Sequence, residues 1–408
     1  MLSLNDMGIE NSVFKYAGTM AQSCRAAGIV LALVSCGAAE APADTPGESP
    51  VATPTGRWSP EQATRLVERA RAQPREALPV PDTRELEAAI AAGDPAGIDR
   101  DADALALRIA RGTLFGVADT ARRAGWNIHD SDTAIDIAAG LRDALAAGRL
   151  DAFLDGLQPE HPDYAALRAA YAAEPDAARR ATLARNMERW RWMPHALGRS
   201  YVLVNTAAFE ASLWHEGKRA GTWKVIVGKP STPSPVFSAR ISGVTFNPWW
   251  DIPASIIAEK HGNFPASQGY VRSATGFRQK PGPGNALGQM KLVMPNPYNV
   301  YMHDTPSKSL FNRDVRAFSH GCIRVGDPMD LAATLLSGSR TRGQIDGIVA
   351  SGMTVTVDLP APVPVYITYF TASLKADGTV AVHPDVYGRD ARVGAVALTT
   401  GTECSGHG

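Results

Sequence analysis

From Trp58 to about Trp192, apolar residues recur at helical spacing in a background of alanine and leucine. Ile137, Leu141 and Leu145 stand at i, i+4 and i+8, one stripe of a helix. Ser59-Pro60-Glu61-Gln62 is a capping box with proline at the first helical position, which predicts a helix start. Gly93-Asp94-Pro95, Gly148 and Gln158-Pro159 interrupt the pattern, so several short helices are expected. Asp99, Asp101 and Asp103 alternate without the glycine and terminal glutamate of a calcium loop, and read as a solvated helix start. The pattern changes at Arg199. Tyr201–Val204 and Trp223–Val227 are β-branched and aromatic runs separated by His215-Glu216-Gly217-Lys218, a hairpin signal. Met353–Leu359 and Val363–Phe370 read as two further strands, and Pro328–Leu336 as a helix. The expected fold is α+β: a helical domain over 58–195, a mainly-β domain over 196–375, and an extension and tail over 376–408.

Composition adds bounds. The chain has 408 residues, 45% hydrophobic and 20% charged, which is ordinary globular composition with room for two domains. Its formal net charge is zero, which gives no footprint for nucleic acid. No apolar run reaches the roughly 20 residues of a membrane span. A shorter one, Ala26–Val34, follows Arg25 and describes a secretory signal peptide over 1–36. Its ending, Leu33-Val34-Ser35-Cys36, resembles the lipobox of bacterial lipoproteins, which implies lipidation at Cys36 and a membrane anchor; an ordinary signal peptide is the alternative. Met20 is the better-placed start. Residues 37–57 carry Pro42, Pro46, Pro50 and Pro54 and read as a disordered tether. The expected location is the cell envelope, on the periplasmic side. Cys36, Cys322 and Cys404 make no disulfide framework, and a free thiol in an exported chain favours a reactive Cys322.

The candidate chemistry sits in Ser319-His320-Gly321-Cys322-Ile323-Arg324, with His303 upstream in Tyr301-Met302-His303-Asp304-Thr305. A cysteine attacks as thiolate and needs a base or a positive field to become one. These residues offer a thiol, imidazoles, a Gly-Cys backbone for oxyanion donors and a guanidinium for a carboxylate. Here the chain resembles the L,D-transpeptidases of bacterial peptidoglycan, the YkuD-type domain. That family's signature is a histidine, about fifteen residues, then Ser/Thr-His-Gly-Cys and an arginine two positions on. The resemblance to the large type extends through Asn186–Pro194, Val204-Asn205-Thr206, Val227-Gly228-Lys229, Asn247–Pro253, His303–Pro306 and Pro364–Tyr369. It implies a helical scaffold before a YkuD-type catalytic domain. The three-helix peptidoglycan-binding module usual in the large type is missing from its place, and the insertion that caps the site is short, about 254–287.

The resemblance implies Cys322 as nucleophile and His303 as general base, oriented by a backbone carbonyl that Asp304 could supply. His320 assists catalysis or packs the loop. The Gly321 and Cys322 amides form the oxyanion hole. Arg324, two residues past the nucleophile, would share its face on a strand and hold a substrate carboxylate. Tyr301 walls the pocket, Trp250 lies near it, and Ser319 binds substrate or bonds within the turn. Gly282–Gly288 reads as a loop at the substrate edge. No metal and no organic cofactor is implied. The partners are peptidoglycan stem peptides, a tetrapeptide donor and an amine acceptor joined in a 3→3 cross-link by a monomeric enzyme. Water or a protein lysine as acceptor would make it a carboxypeptidase, an endopeptidase or an anchoring enzyme. A metal site on His303, His320 and Cys322 fits no common zinc spacing. An inactive envelope-binding module is the reading from another class.

Overall fold

The computed structural model describes residues 58–394. The signal peptide, the Cys36 lipobox, the tether and the last residues of the tail lie outside the described residues. Seven helices come first: α1 (Pro60–Ala72), α2 (Arg84–Ala92), α3 (Pro95–Phe115), then, after a two-residue strand β1 (Trp126–Asn127), α4 (Ile137–Ala146), α5 (Leu150–Asp155), α6 (Pro162–Ala173) and α7 (Ala177–Trp190). The expected capping box starts α1, with Ser59 Oγ accepting from the Gln62 amide at 3.2 Å and the Gln62 side chain accepting from the Ser59 amide at 2.9 Å. Gly93 and Gly148 end α2 and α4 in the left-handed conformation that glycine adopts without strain. Ile137, Leu141 and Leu145 face inward, packing with Leu66, Leu105 and Ile109 into a helical core. The acidic run corrects the expectation of a solvated helix start. Asp99 accepts the Trp58 amide and Asp103 the Trp58 indole N–H, each at 2.7 Å. Asp103 is buried because it ties the first residue of the fold to the middle of α3.

The β domain begins with β2 (Ser200–Asn205), β3 (Glu210–His215), β4 (Lys218–Gly228) and β5 (Val236–Phe246). The His215–Lys218 turn joins β3 to β4, with Glu216 and Gly217 both at positive φ, the geometry of a two-residue hairpin. There follow β6 (Trp250–Asp251), α8 (Ala254–Glu259), β7 (Tyr270–Ser273), β8 (Gly276–Gln279), β9 (Met290–Val293), β10 (Met302–His303), β11 (Ala317–Ser319), β12 (Ile323–Val325), α9 (Pro328–Leu335), α10 (Arg342–Ala350) and β13 (Val355–Thr368). The two strands expected over 353–370 are one, with a register shift between Asp358 and Val363 where Pro360 and Pro362 bar regular pairing. The main sheet runs β1-β5-β13-β2-β3-β4-β12-β10-β9, and β5 pairs with β9 as well, so the sheet closes on itself. Inside lies a core of Val202, Val225, Phe246, Leu292, Met302, Ile323 and Ile367. β6, β8 and β7 form a separate three-stranded sheet that, with α8, makes up the cap.

The helical part and the barrel share a second core, in which Trp190, Tyr164 and Leu167 pack against Tyr201, Trp214, Tyr366 and Phe370. Trp190 is 1% exposed and stacks on Phe370 with ring centroids 4.6 Å apart. The helical part also lends a strand, since β1 pairs with the start of β5. The last described elements, β14 (Ala372–Leu374), β15 (Val380–Val382) and α11 (Asp390–Val393), form a hairpin and a turn of helix against α6 and α7.

Candidate active site

Three short neighbouring strands carry the site. β10 pairs with β12 in parallel, placing His303 opposite Arg324, and with β9 antiparallel, placing His303 opposite Lys291. Directly opposed residues in a sheet share a face, and so do residues two apart on one strand. Tyr301, His303, Cys322, Arg324 and Lys291 therefore gather on one side of the sheet. The expected convergence of Cys322, His303, Tyr301 and Arg324 is observed; Lys291 was not anticipated. Its strand, Met290-Lys291-Leu292-Val293, alternates buried and half-buried residues, and the lone polar residue in that alternation was the available signal.

His303 is buried, and its Nδ1 lies 2.5 Å from the Asp304 carbonyl. A carbonyl only accepts, so Nδ1 carries the proton and Nε2 keeps its lone pair. The Asp304 carboxylate does other work. It accepts from the amides of Gln289 at 2.8 Å and Thr305 at 2.6 Å, and pairs with Lys308. Gly288 makes this approach possible: a Cβ there would stand 2.3 Å from the Asp304 carboxylate. Burial, with Arg324 nearby, pushes the His303 imidazole down to about 3. Cys322 is half-buried, with Sγ 3.9 Å from the Asn299 carbonyl. Burial raises its thiol, against a smaller opposing pull from the Tyr301 backbone, Lys291 and Arg324. The resting pair is thus a neutral thiol and a neutral imidazole.

The turn before the cysteine is tied down on both sides. Ser319 Oγ accepts the Gly321 amide at 3.1 Å and donates to the Cys322 carbonyl at 2.6 Å. Ser319 is 1% exposed, so it staples the turn and is not open to bind substrate. The same bond corrects the expected oxyanion hole. The Gly321 amide is already spent on Ser319, whereas the Cys322 amide donates to no protein group among the described residues. Ser234 Oγ donates to the Gly321 carbonyl at 2.7 Å and accepts the Gly228 amide at 3.0 Å. Gly228 is required there, because a Cβ would stand 2.2 Å from the Thr232 carbonyl. The exposed His320 ring bonds Glu259 at the end of α8, at 2.7 Å, linking the cysteine turn to the cap.

Arg324 is half-buried, its Nε buried without a partner. Tyr301 is half-buried and lies under the Lys291 ammonium, 3.7 Å from ring centroid to Nζ. Trp250 is half-buried in the cap sheet, opposite Gln279. In the Gly282–Gly288 loop the first three residues are exposed and the rest is tied down. Asn285 at its centre is 1% exposed; its amide donates to the Pro248, Gln279 and Lys280 carbonyls, and its oxygen accepts from Leu287. Among the described residues, no group of three or more His, Cys, Asp or Glu is placed to hold a metal ion.

Comparison with known proteins agrees in both halves. The L,D-transpeptidase catalytic domain (YkuD) matches residues 199–363, and the Scaffold domain matches residues 55–170. A protein of Haemophilus influenzae named as a candidate L,D-transpeptidase is 30% identical over 239 residues, covering 52% of this chain and 48% of that protein. The chain thus spans about half the length of this curated relative. Among solved structures, an L,D-transpeptidase from Mycobacterium smegmatis aligns at 14% identity and a TM-score of 0.24, covering 42% of this chain and 58% of that one. A mutant L,D-transpeptidase of Enterococcus faecium aligns at 14% identity and a TM-score of 0.22, covering 43% of this chain and 52% of that one. Residues 199–363 thus carry a YkuD-type L,D-transpeptidase catalytic domain, preceded by a Scaffold domain over 55–170.

Proposed function

We propose that this protein is a peptidoglycan L,D-transpeptidase that makes 3→3 cross-links through an acyl-thioester on Cys322. The observation that carries the reading is the shared sheet face of Cys322, His303 and Arg324, with His303 Nδ1 tied to the Asp304 carbonyl so that Nε2 is left as the base. In acylation the thiol proton passes to Nε2 as sulfur attacks the carbonyl carbon of the third, L-centred residue of a tetrapeptide stem. The bond to the terminal D-alanine breaks, and the departing amine takes the proton from His303. In transfer, the side-chain amine of a third residue on another stem attacks the thioester. Its proton passes through His303 to the sulfur as the C–S bond breaks. The imidazolium exists only while negative charge resides on sulfur or the tetrahedral oxygen. The Cys322 amide stabilises that oxygen. An envelope location follows from this substrate, and lipidation at Cys36 would anchor the enzyme there; mass spectrometry of the mature N-terminus tests it.

The decisive test is incubation of the purified protein with a disaccharide-tetrapeptide, with Cys322→Ala in parallel and products read by mass spectrometry. A dimer lacking one D-alanine, made only by the parent, is the expected result. Free tripeptide without dimer would replace transpeptidation by hydrolysis. No product and no mass adduct with a carbapenem would overturn the thioester itself.

A further inference from the structure

A small recess of about 70 Å³ lies where the loop after α3, helix α7 and the C-terminal segment meet, walled by Trp126, Trp192 and Tyr369. Five arginines line it: Arg122 and Arg123 from the loop, Arg189 from α7, and Arg389 and Arg392 from the C-terminal segment. Among the described residues no acid lines it, and none of its residues belongs to the candidate active site. Arg189 and Arg389 share the Tyr369 ring, with Cζ 5.5 and 4.9 Å from its centroid, and Arg123 lies over Trp192 at 5.4 Å. The nearby acids offset little of this charge. Asp390 pairs with Arg189 at 2.7 Å, and Asp119 stands 3.9 Å from Arg122. Glu188 accepts from the amides of Val117 and Ala118 and from the Trp192 indole. Asp385 accepts from the Tyr369 hydroxyl and the amides of Arg389 and Asp390. Arg123 turns to the carbonyls of Phe115 and Ala118, and Arg389 to that of Ser234. The Arg389 Nη1 is buried without a partner. Burial draws the Arg389 guanidinium downward, and the charges of Arg189 and Arg392 add to it. Like charges gathered around a half-buried recess are costly unless an anion offsets them.

We propose that this recess is an anion site that holds a phosphate group. The arginines reach it from three separate segments, so their donors converge from several sides. A tetrahedral dianion, with oxygens in several directions, matches that arrangement; a carboxylate offers two oxygens in one plane. The volume is room for a few water molecules and so for one phosphate, with the rest of any phosphate monoester left outside. The bound anion would tie the helical part to the C-terminal segment. The assignment does not depend on the reaction proposed above.

The test is titration of the purified protein with inorganic phosphate at constant ionic strength, read by calorimetry and by the melting temperature. Binding should saturate at a single phosphate per chain. The melting temperature should rise by about 2 °C or more at saturation, since a ligand held only by the folded state stabilises it. The double variant Arg122→Gln, Arg392→Gln alters two exposed side chains. It should fold as the parent does and bind phosphate about tenfold more weakly or worse, as expected when charge-assisted contacts are lost. Glycerol 3-phosphate separates the sources of the group. Displacement of phosphate by it assigns the site to an esterified phosphate, and failure to displace assigns it to the free ion. Acetate bound as tightly as phosphate would overturn the choice of anion. No saturable binding by the parent would overturn the site. So would an equal melting shift in parent and double variant, which is the signature of a general salt effect on stability.

Discussion

At the scale of single residues, the proposed thioester chemistry rests on the protonation state of the Cys322–His303 pair. Burial raises the thiol and holds the imidazole at about 3, so neither group is charged at neutral pH. Alkylation of Cys322 by iodoacetamide should therefore rise steadily with pH to above 9, with no plateau between pH 5 and 7. An acid-shifted plateau would indicate a resting thiolate–imidazolium pair instead. His303→Ala should lower turnover by about 10²-fold or more, the usual contribution of a positioned base. Ser319→Ala is expected to act through geometry. It frees the Gly321 amide and the Cys322 carbonyl together, at about 1–3 kcal/mol for a buried pair left unsatisfied. Urea unfolding and kcat should both report the loss.

Among elements, the segment beyond the matched domain is tied, through Gly228 and Ser234, to the turn before Cys322. Tyr387 Oη donates to the Gly228 carbonyl at 2.7 Å, and the Arg389 guanidinium to the Ser234 carbonyl at 3.0 Å. Ser234 in turn holds the Gly321 carbonyl. Ser234→Ala should reduce kcat more than KM, since it loosens the turn without touching Lys291 or Arg324. Equal losses in both would place Ser234 in substrate binding. This relay was invisible in the linear chain, because residues 228–234, 319–322 and 387–389 meet only in the fold. β3 escaped notice because Glu210-Ala-Ser-Leu-Trp-His215 lacks a β-branched run, yet it pairs with both β2 and β4. The prolines of 360–364 suggested two strands where one strand bends. The hairpin at His215–Lys218, the capped start of α1 and the helix after the cysteine were legible, since each depends on contacts within a few residues.

For the whole molecule, the core shared by helices and barrel makes the two parts interdependent. The catalytic domain expressed from Arg199 alone would expose Tyr201, Trp214, Tyr366 and Phe370, all 8% exposed or less in the full chain. It should aggregate or unfold, which size-exclusion chromatography would reveal; a stable monomer would contradict the shared core. Acid should also destabilise the intact protein. His161 and His303 are held at about 3 and His383 at about 4, each mainly by burial. The unfolded chain takes up protons near 6.5 while the folded chain resists, so stability is complete above 6.5 and declines as pH falls toward 4. Asp163, raised to about 7 by burial, works the other way between 3.8 and 7. Asp103, Asp130 and Glu210, also raised by burial, act with Asp163; the three imidazoles together carry the larger shifts, and the melting temperature should fall between pH 6.5 and 4.

The sequence by itself determined which reacting groups are present and which family spacing they obey, because a thiol between glycine and arginine and a histidine upstream are facts of covalent order. It also determined the helical scaffold and the change to strands at Arg199, through periodicities that operate within a few residues. The tertiary structure alone decided which amide is free for an oxyanion and that His320 serves the cap. It alone set Cys322 and His303 to be neutral at rest and placed Lys291 in line with His303 and Arg324. Those properties come from burial and from strand register between residues far apart in the chain, and no local pattern encodes either.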